Sequence, residues 1–250
     1  MRDVARGAGE LADAAALAAS DVQAIVLCLP NSTVVDAVVA AMEEALTPGT
    51  RLIDTTTALP DATRVLERRL RERGIGYVDA PITGGPALAY SGELTSLVGA
   101  SDSDLEVVTP LLECYSKRVL HLGGPGSGHT AKLLTNVISN SASALVAEAF
   151  TVAREHGIDW DKLHLAMLGG AARSGTLEKM IPPALDGDYR GHAFAIANAE
   201  KDVRYYCEFR EASGGHSSIA RAVQGRLAEY CEQGLGEHLF SELLDPALKQ

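Results

Sequence analysis

Short apolar runs alternate with longer amphipathic stretches through the first half of the chain. Ala24-Ile25-Val26-Leu27-Cys28-Leu29-Pro30 is a continuous apolar run halted by Pro-Asn-Ser, the pattern expected of a central parallel strand. An Ala-rich helix is expected before it, around Leu11 to Ala19, and another after it, from about Thr33 to Ala45. Beyond the turn at Pro48-Gly49, Arg51 to Asp54 reads as a strand. Pro60 opens a charged helix that runs to about Arg73 and stops at Gly74. Strands over Ile75 to Asp79, Leu94 to Val98 and Val119 to Leu122, with a helix over Asp102 to Tyr115, extend the alternation. Strands and helices at this spacing predict an α/β fold with a wound, mostly parallel sheet.

The pattern changes after Gly123-Gly124-Pro125: helical periodicity dominates and no convincing strand follows. A boundary near Gly124 therefore separates an α/β region, residues 1–123, from an all-helical region, 124–250. The second region opens with its longest element. From Gly126 to Gly157 no proline interrupts the chain, and Leu134, Val137, Ile138, Ser141, Leu145, Ala149 and Val152 recur at helical spacing. This predicts one central helix of about seven turns, with glycines at its start and Gly157 at its C-cap. Further helices are expected over Asp159 to Leu168, Ile196 to Ala212, Ser217 to Cys231 and Glu237 to Leu244, with a loop at Gly169 to Ser174. Trp160 reads as a packing anchor.

Composition narrows the partners. With 250 residues, 46% of them hydrophobic, there is material for one large core or two modest ones. A net charge of -11 argues against nucleic acid or an anionic membrane surface as a partner. Cys28, Cys114, Cys207 and Cys231 are far apart, with no CxxC pair and no histidine at metal-ligand spacing, so reduced thiols acting as small core hydrophobes are expected, and no metal. No stretch reaches transmembrane length and no signal-peptide layout is present, which predicts a cytoplasmic protein.

The chemistry centres on the start of the long helix. Lys132 and Asn136 lie four residues apart on one face. The positive helix end disfavours a protonated lysine, which suits acid/base work. Ser127 and His129 do not suggest a hydrolase, since no GxSxG elbow follows a strand and helix neighbours two apart diverge. Lys201-Asp202 reads as a surface charge pair.

Three stretches in order, Asp79-Ala80-Pro81-Ile82-Thr83-Gly84-Gly85, then Gly126-x-Gly128-x-x-x-Lys132-x-x-x-Asn136, then Phe194 followed by Lys201-Asp202, resemble the β-hydroxyacid dehydrogenase family, which includes 3-hydroxyisobutyrate dehydrogenase. The resemblance covers essentially the whole chain. It implies a Rossmann-type sheet followed by a helical domain, NAD or NADP as cofactor, and hydride exchange with a small hydroxy acid or semialdehyde. By the same resemblance Lys132 is the general acid/base and Asn136 hydrogen-bonds the substrate. Thr83, Gly84 and Gly85 receive the substrate carboxylate on backbone N–H groups, with Thr83 in place of the family's usual serine. Leu29, Pro30, Val34, Thr57 and Lys201 match positions around the nicotinamide nucleotide, although Val34 also suits ordinary packing and Thr57 a helix start. The sequence Val203-Arg204-Tyr205-Tyr206 departs from the leucine-rich stretch usual in relatives. The long helix is also expected to form a dimer or higher homo-oligomer interface.

The family opens with a strand, a GxGxxG turn, a helix and a second strand, and none of these is recognisable here. Gly7 and Gly9 follow no strand. Comparison with the family layout leads one to expect roughly 35 to 45 further residues ahead of Met1, in a longer gene product. A shortened protein that has lost dinucleotide binding is the competing expectation, and it carries the alternative function: a cofactor-free module for dimerisation or for binding a small acid.

Overall fold

The computed structural model describes residues 22–248; the helix expected over Leu11 to Ala19, and Gly7 and Gly9, lie outside the described residues. The chain divides into two compact units, Met1–Lys132 and Leu133–Gln250.

The first unit is an α/β layer structure. Its elements are β1 (Ala24–Leu27), α1 (Ser32–Met42), β2 (Arg51–Asp54), α2 (Pro60–Arg71), β3 (Gly76–Asp79), β4 (Ile82–Thr83), α3 (Pro86–Tyr90), β5 (Leu94–Gly99), α4 (Asp102–Leu112) and β6 (Ser116–Gly123). Local chemistry fixes the helix starts: Asn31 caps α1 by accepting from the Val34 N–H, Pro60 occupies the first turn of α2, and Ser101 caps α4. β1, β2 and β3 are parallel and in step, Leu27 pairing with Asp54 and Asp54 with Asp79, so their carboxyl ends are level. Alternate residues feed two cores. Leu27, Leu52 and Tyr77 pack with Val35, Val39, Leu66 and Leu70 of α1 and α2, while Ile53 and Val78 pack with Val108 and Leu112 of α4.

The sheet departs from expectation in two ways. β5 runs antiparallel to β3 and to β4, and β6 is parallel to β5, so the last strands oppose the first three. The segment between β3 and β5 is spent on two-residue β4 and five-residue α3, both without counterparts among the expected elements, and supplies no crossover helix of the kind a parallel return needs. β1 ends the order β1-β2-β3-β5-β4 among the described residues, rather than lying centrally, and Val26 is 51% exposed. A continuous apolar run marks a strand but not its place in a sheet.

The second unit is helical and takes up most of α5 (Ser127–Glu155), followed by α6 (Trp160–Leu168), α7 (Gly175–Leu185), α8 (Ile196–Ala212) and α9 (Ser218–Glu232). Its core gathers Phe150, Leu177, Met180, Ile181, Val203, Leu227 and Phe240. Trp160 meets Phe150 edge to face at 5.3 Å, which makes it the packing anchor expected. α7 was not legible, because Pro182 and Pro183 stand inside it. The helix expected over Glu237 to Leu244 is a 3-10 turn confined to Phe240–Leu244. Ile196 N–H to His238 O and Phe240 N–H to Phe194 O hold residues 238–240 extended against 194–196, so no helix can begin earlier.

On α5 the expected stripe is not the buried one. Leu134, Ile138, Leu145 and Val152 are exposed, while Leu133, Asn140, Ser143, Ala147 and Phe150 are buried. Of the cysteines, all free, only Cys207 is buried; Cys28 and Cys114 are exposed because they stand just past the ends of β1 and α4.

Candidate active site

Two level strand ends bring the first group of candidate residues together. Leu29 and Pro30 follow β1, Val34 lies in the first turn of α1, and Thr57 follows β2. A hydrogen bond from the Leu29 N–H to Thr56 Oγ1, 3.1 Å, ties the first two loops, and another from the Leu59 N–H to Ser32 Oγ, 2.8 Å, ties α1 to the entry of α2. Crevices outside the carboxyl ends of parallel strands are where α/β sheets bind ligands. Apolar Leu29, Pro30 and Val34 beside a capped helix start suit the flat nicotinamide end of a dinucleotide.

Past β3, Thr83 is exposed on the edge strand β4, and Gly84 and Gly85 follow at φ 141° and 85°. A side chain at Gly84 would also press on Leu88 and Leu94. This is backbone that only glycine adopts readily, and it leaves N–H groups open to an anion. Lys132 comes to the same segment: its Nζ donates to Ile82 O at 2.7 Å, beside Thr83.

The start of α5 sits on a buried polar network to whose members the sequence analysis gave no role. Asp79, fully buried at the end of β3, accepts from the Gly126 N–H at 2.7 Å on Oδ1 and the His129 N–H at 2.8 Å on Oδ2. Burial raises its carboxyl above the usual range, opposed by His129 and those N–H groups. Asp54, fully buried at the end of β2, accepts from Tyr77 OH at 2.6 Å and the Thr56 N–H at 2.9 Å. Burial first, and then Asp54, push the Tyr77 hydroxyl well above its ordinary value. His129, also fully buried, joins Nδ1 to Thr63 Oγ1 at 2.6 Å and turns Nε2 toward Asp54 Oδ2 at 3.8 Å. His129 is thus tied through Nδ1 to Thr63, not to Ser127, and its Nε2 faces Asp54 without a hydrogen bond. The legible signal was that β2 and β3 both end in aspartate.

In the second unit, Asn136 and Lys201 meet through one carboxylate. Asn136 Nδ2 donates to Asp202 Oδ2 at 2.6 Å, and Lys201 Nζ lies 3.1 Å from Asp202 Oδ1. The pair expected on the surface at Lys201-Asp202 instead turns inward: Asp202 is buried and Lys201 half-buried, with side-chain exposures of 2% and 16%. The cause is α8's inward face, which carries Asp202 beside Val203 in the core. Asp202, unassigned from sequence, orients both neighbours. Among the described residues no His, Cys, Asp or Glu cluster could hold a metal ion, and no helix is long and apolar enough to cross a membrane.

Comparison with known proteins places these features in a family. Residues 1–123 match the model for the NAD-binding domain of 6-phosphogluconate dehydrogenase, and residues 126–247 the model for the NAD-binding region of NADP-dependent 3-hydroxyisobutyrate dehydrogenase. The chain is 32% identical to 2-(hydroxymethyl)glutarate dehydrogenase of Eubacterium barkeri, covering 93% of this chain and 76% of that protein. It is 28% identical to the mitochondrial 3-hydroxyisobutyrate dehydrogenase of Drosophila melanogaster, over 90% of this chain and 72% of the relative. The fold matches a Mycobacterium tuberculosis 3-hydroxyisobutyrate dehydrogenase solved with L-serine, at TM-score 0.81 and 23% identity, covering 90% of this chain and 79% of that one. Nothing among these likenesses supports the alternative of a cofactor-free module. The paired family matches, with a 32% identical dehydrogenase spanning both units, establish that the chain belongs to the 3-hydroxyisobutyrate dehydrogenase-like β-hydroxyacid dehydrogenases, oxidoreductases that use NAD or NADP.

Proposed function

We propose that the protein interconverts a small β-hydroxy acid and its aldehyde or keto form, with Lys132 as general acid/base. The observation that carries this reading is Lys132 Nζ held on Ile82 O, 2.7 Å away, next to the Thr83-Gly84-Gly85 segment. Those glycine N–H groups take the substrate carboxylate, while Lys132 reaches the hydroxyl. In oxidation Lys132 accepts the hydroxyl proton; in reduction it returns a proton to the carbonyl oxygen. The dinucleotide, when bound, supplies the hydride acceptor or donor. Cofactor contact is assigned to Leu29, Pro30, Val34 and Thr57 in the first unit and to Lys201 in the second. Asn136, oriented by Asp202, hydrogen-bonds the substrate. We assign residues 1–123 to dinucleotide binding and 124–250 to the helical dehydrogenase domain, a division supported by the change from strands to helices after Gly123.

The test is a turnover screen of the full chain with NAD and NADP against 3-hydroxyisobutyrate, L-serine, L-threonate and 2-(hydroxymethyl)glutarate, the acids in the names of relatives. Lys132→Ala should lower kcat on the accepted acid by about 10²- to 10⁴-fold and leave the melting temperature unchanged. A folded variant with near wild-type kcat removes Lys132 from the chemistry.

We also propose a homodimer or higher oligomer. The exposed stripe Leu134, Ile138, Leu145 and Val152 supports it, since its last three members are spaced by heptads along one face of α5 and present apolar surface that a second copy would cover. Free thiols at all four cysteines suit a cytoplasmic setting.

A further inference from the structure

We infer that Asp79 is a positioning residue for Lys132: its carboxylate fixes the first turn of α5 to the end of β3, and so sets where the lysine amine stands. This rests on the proposed role of Lys132. One short segment holds the lysine at both ends. Asp79 takes the Gly126 and His129 N–H groups at 2.7 and 2.8 Å, and three residues on, Ile82 O takes Lys132 Nζ at 2.7 Å. Glycines stand against both oxygens and leave them room. A Cβ at Gly99 would lie 2.5 and 2.6 Å from the two carboxylate oxygens, and one at Gly128 would lie 2.9 Å from Oδ2.

The choice of an acid here is the second part of the argument. Helix starts are capped well by serine, threonine or asparagine, which carry no charge to bury. A buried carboxylate is costly unless its charge is used, and Asp79 is fully buried with a raised carboxyl pKa. What a neutral cap lacks is a negative charge at the positive end of the helix that carries Lys132. The charge balances that end and helps keep the amine at its place on Ile82 O. The titratable groups around Asp79 are His129 on α5, Asp54 on the neighbouring strand and Tyr77 on its own strand.

Asp79→Asn keeps the shape and removes the charge and one acceptor. Two readouts follow on the full-length variant, once its melting curve shows it folded. Steady-state kinetics on the accepted acid should give a kcat down about tenfold or more with KM within about twofold. Trace acylation of amines with acetic anhydride at fixed pH, read by mass spectrometry, should label Lys132 about threefold faster than in wild type, relative to exposed Lys162. The labelling needs no substrate, so it stands even if the assigned chemistry fails. A folded variant with kcat and Lys132 labelling within about twofold of wild type overturns the inference. Should the variant not fold, hydrogen exchange on the wild-type protein decides: slow exchange at the Gly126 and His129 amides supports the clamp, and exchange at free-peptide rates refutes it.

Discussion

Gly128→Ala gives the most exacting test of how the catalytic helix is seated. An alanine Cβ there would lie 2.7 Å from the Asp79 carbonyl oxygen, 2.9 Å from Asp79 Oδ2 and closer still to Leu97 O. Ordinary contact begins near 3.4 Å, so the first turn of α5 must retreat by at least 3.4 − 2.7, about 0.7 Å. Asp79 O at the end of β3 and Leu97 O within β5 are strand backbone oxygens and cannot rotate aside. The same retreat stretches the His129 N–H bond to Asp79 from 2.8 Å to about 3.5 Å, beyond good geometry.

Two effects oppose each other. Alanine is worth about 1 kcal/mol over glycine within a helix. Overpacking costs about 1–3 kcal/mol, and weakening hydrogen bonds to a charged acceptor costs about 1.5–3 kcal/mol more. The cost wins, and at roughly 2–4 °C per kcal/mol the melting temperature should fall by several degrees. Lys132 lies one turn further on, where a displacement approaching 1 Å is worth up to about 10² in kcat. Calorimetry and steady-state kinetics on the variant check both. A variant that melts higher than wild type and keeps its kcat would mean that helix propensity outweighs the contact, and that the strand ends do not seat the helix.

Tyr77→Phe removes the donor to buried Asp54 and should cost about 1–3 kcal/mol at neutral pH in denaturant titrations. Because the folded Tyr77 hydroxyl is held well above 10.0, the wild-type unfolded chain releases that proton first, so stability falls as pH rises past about 10; this part of the alkaline loss should vanish in the variant. Leu145→Asp places a charge in the exposed stripe of α5, at a residue 63% exposed, and should shift sedimentation toward monomer without lowering the melting temperature of the isolated subunit. Unchanged sedimentation would move the interface elsewhere.

Much of the architecture was legible because it depends on local pattern. Strand β2 and helix α8 lie where periodicity put them, since an apolar run between turn residues, or a polar helix with an inward stripe, carries its own signal. The direction of β5 was not, because antiparallel return depends on the short α3 link, and Thr83-Gly84-Gly85-Pro86 reads only as a loop. Lys132 and Asn136 stood out through spacing. The supporting roles of Asp79 and Asp202 were not legible, although both fall in the motifs, since a strand-ending aspartate and a helical Lys-Asp pair look like solvent-facing residues until tertiary structure buries them.

The misread face of α5 has a physical cause that bears on function. Apolar residues at helical spacing normally mark the side turned to the core, yet Ile138 is 73% exposed while Asn140 and Ser143 are buried. Ser143 Oγ bonds Ser139 O at 3.0 Å and lies 3.3 Å from His192 Nδ1, and Asn136 is held by Asp202. A helix that turns polar side chains inward cannot use that face for hydrophobic packing alone. The proposed subunit contact fits the same arrangement: the apolar stripe left outside the core by the polar one is the surface that a second copy of α5 would cover.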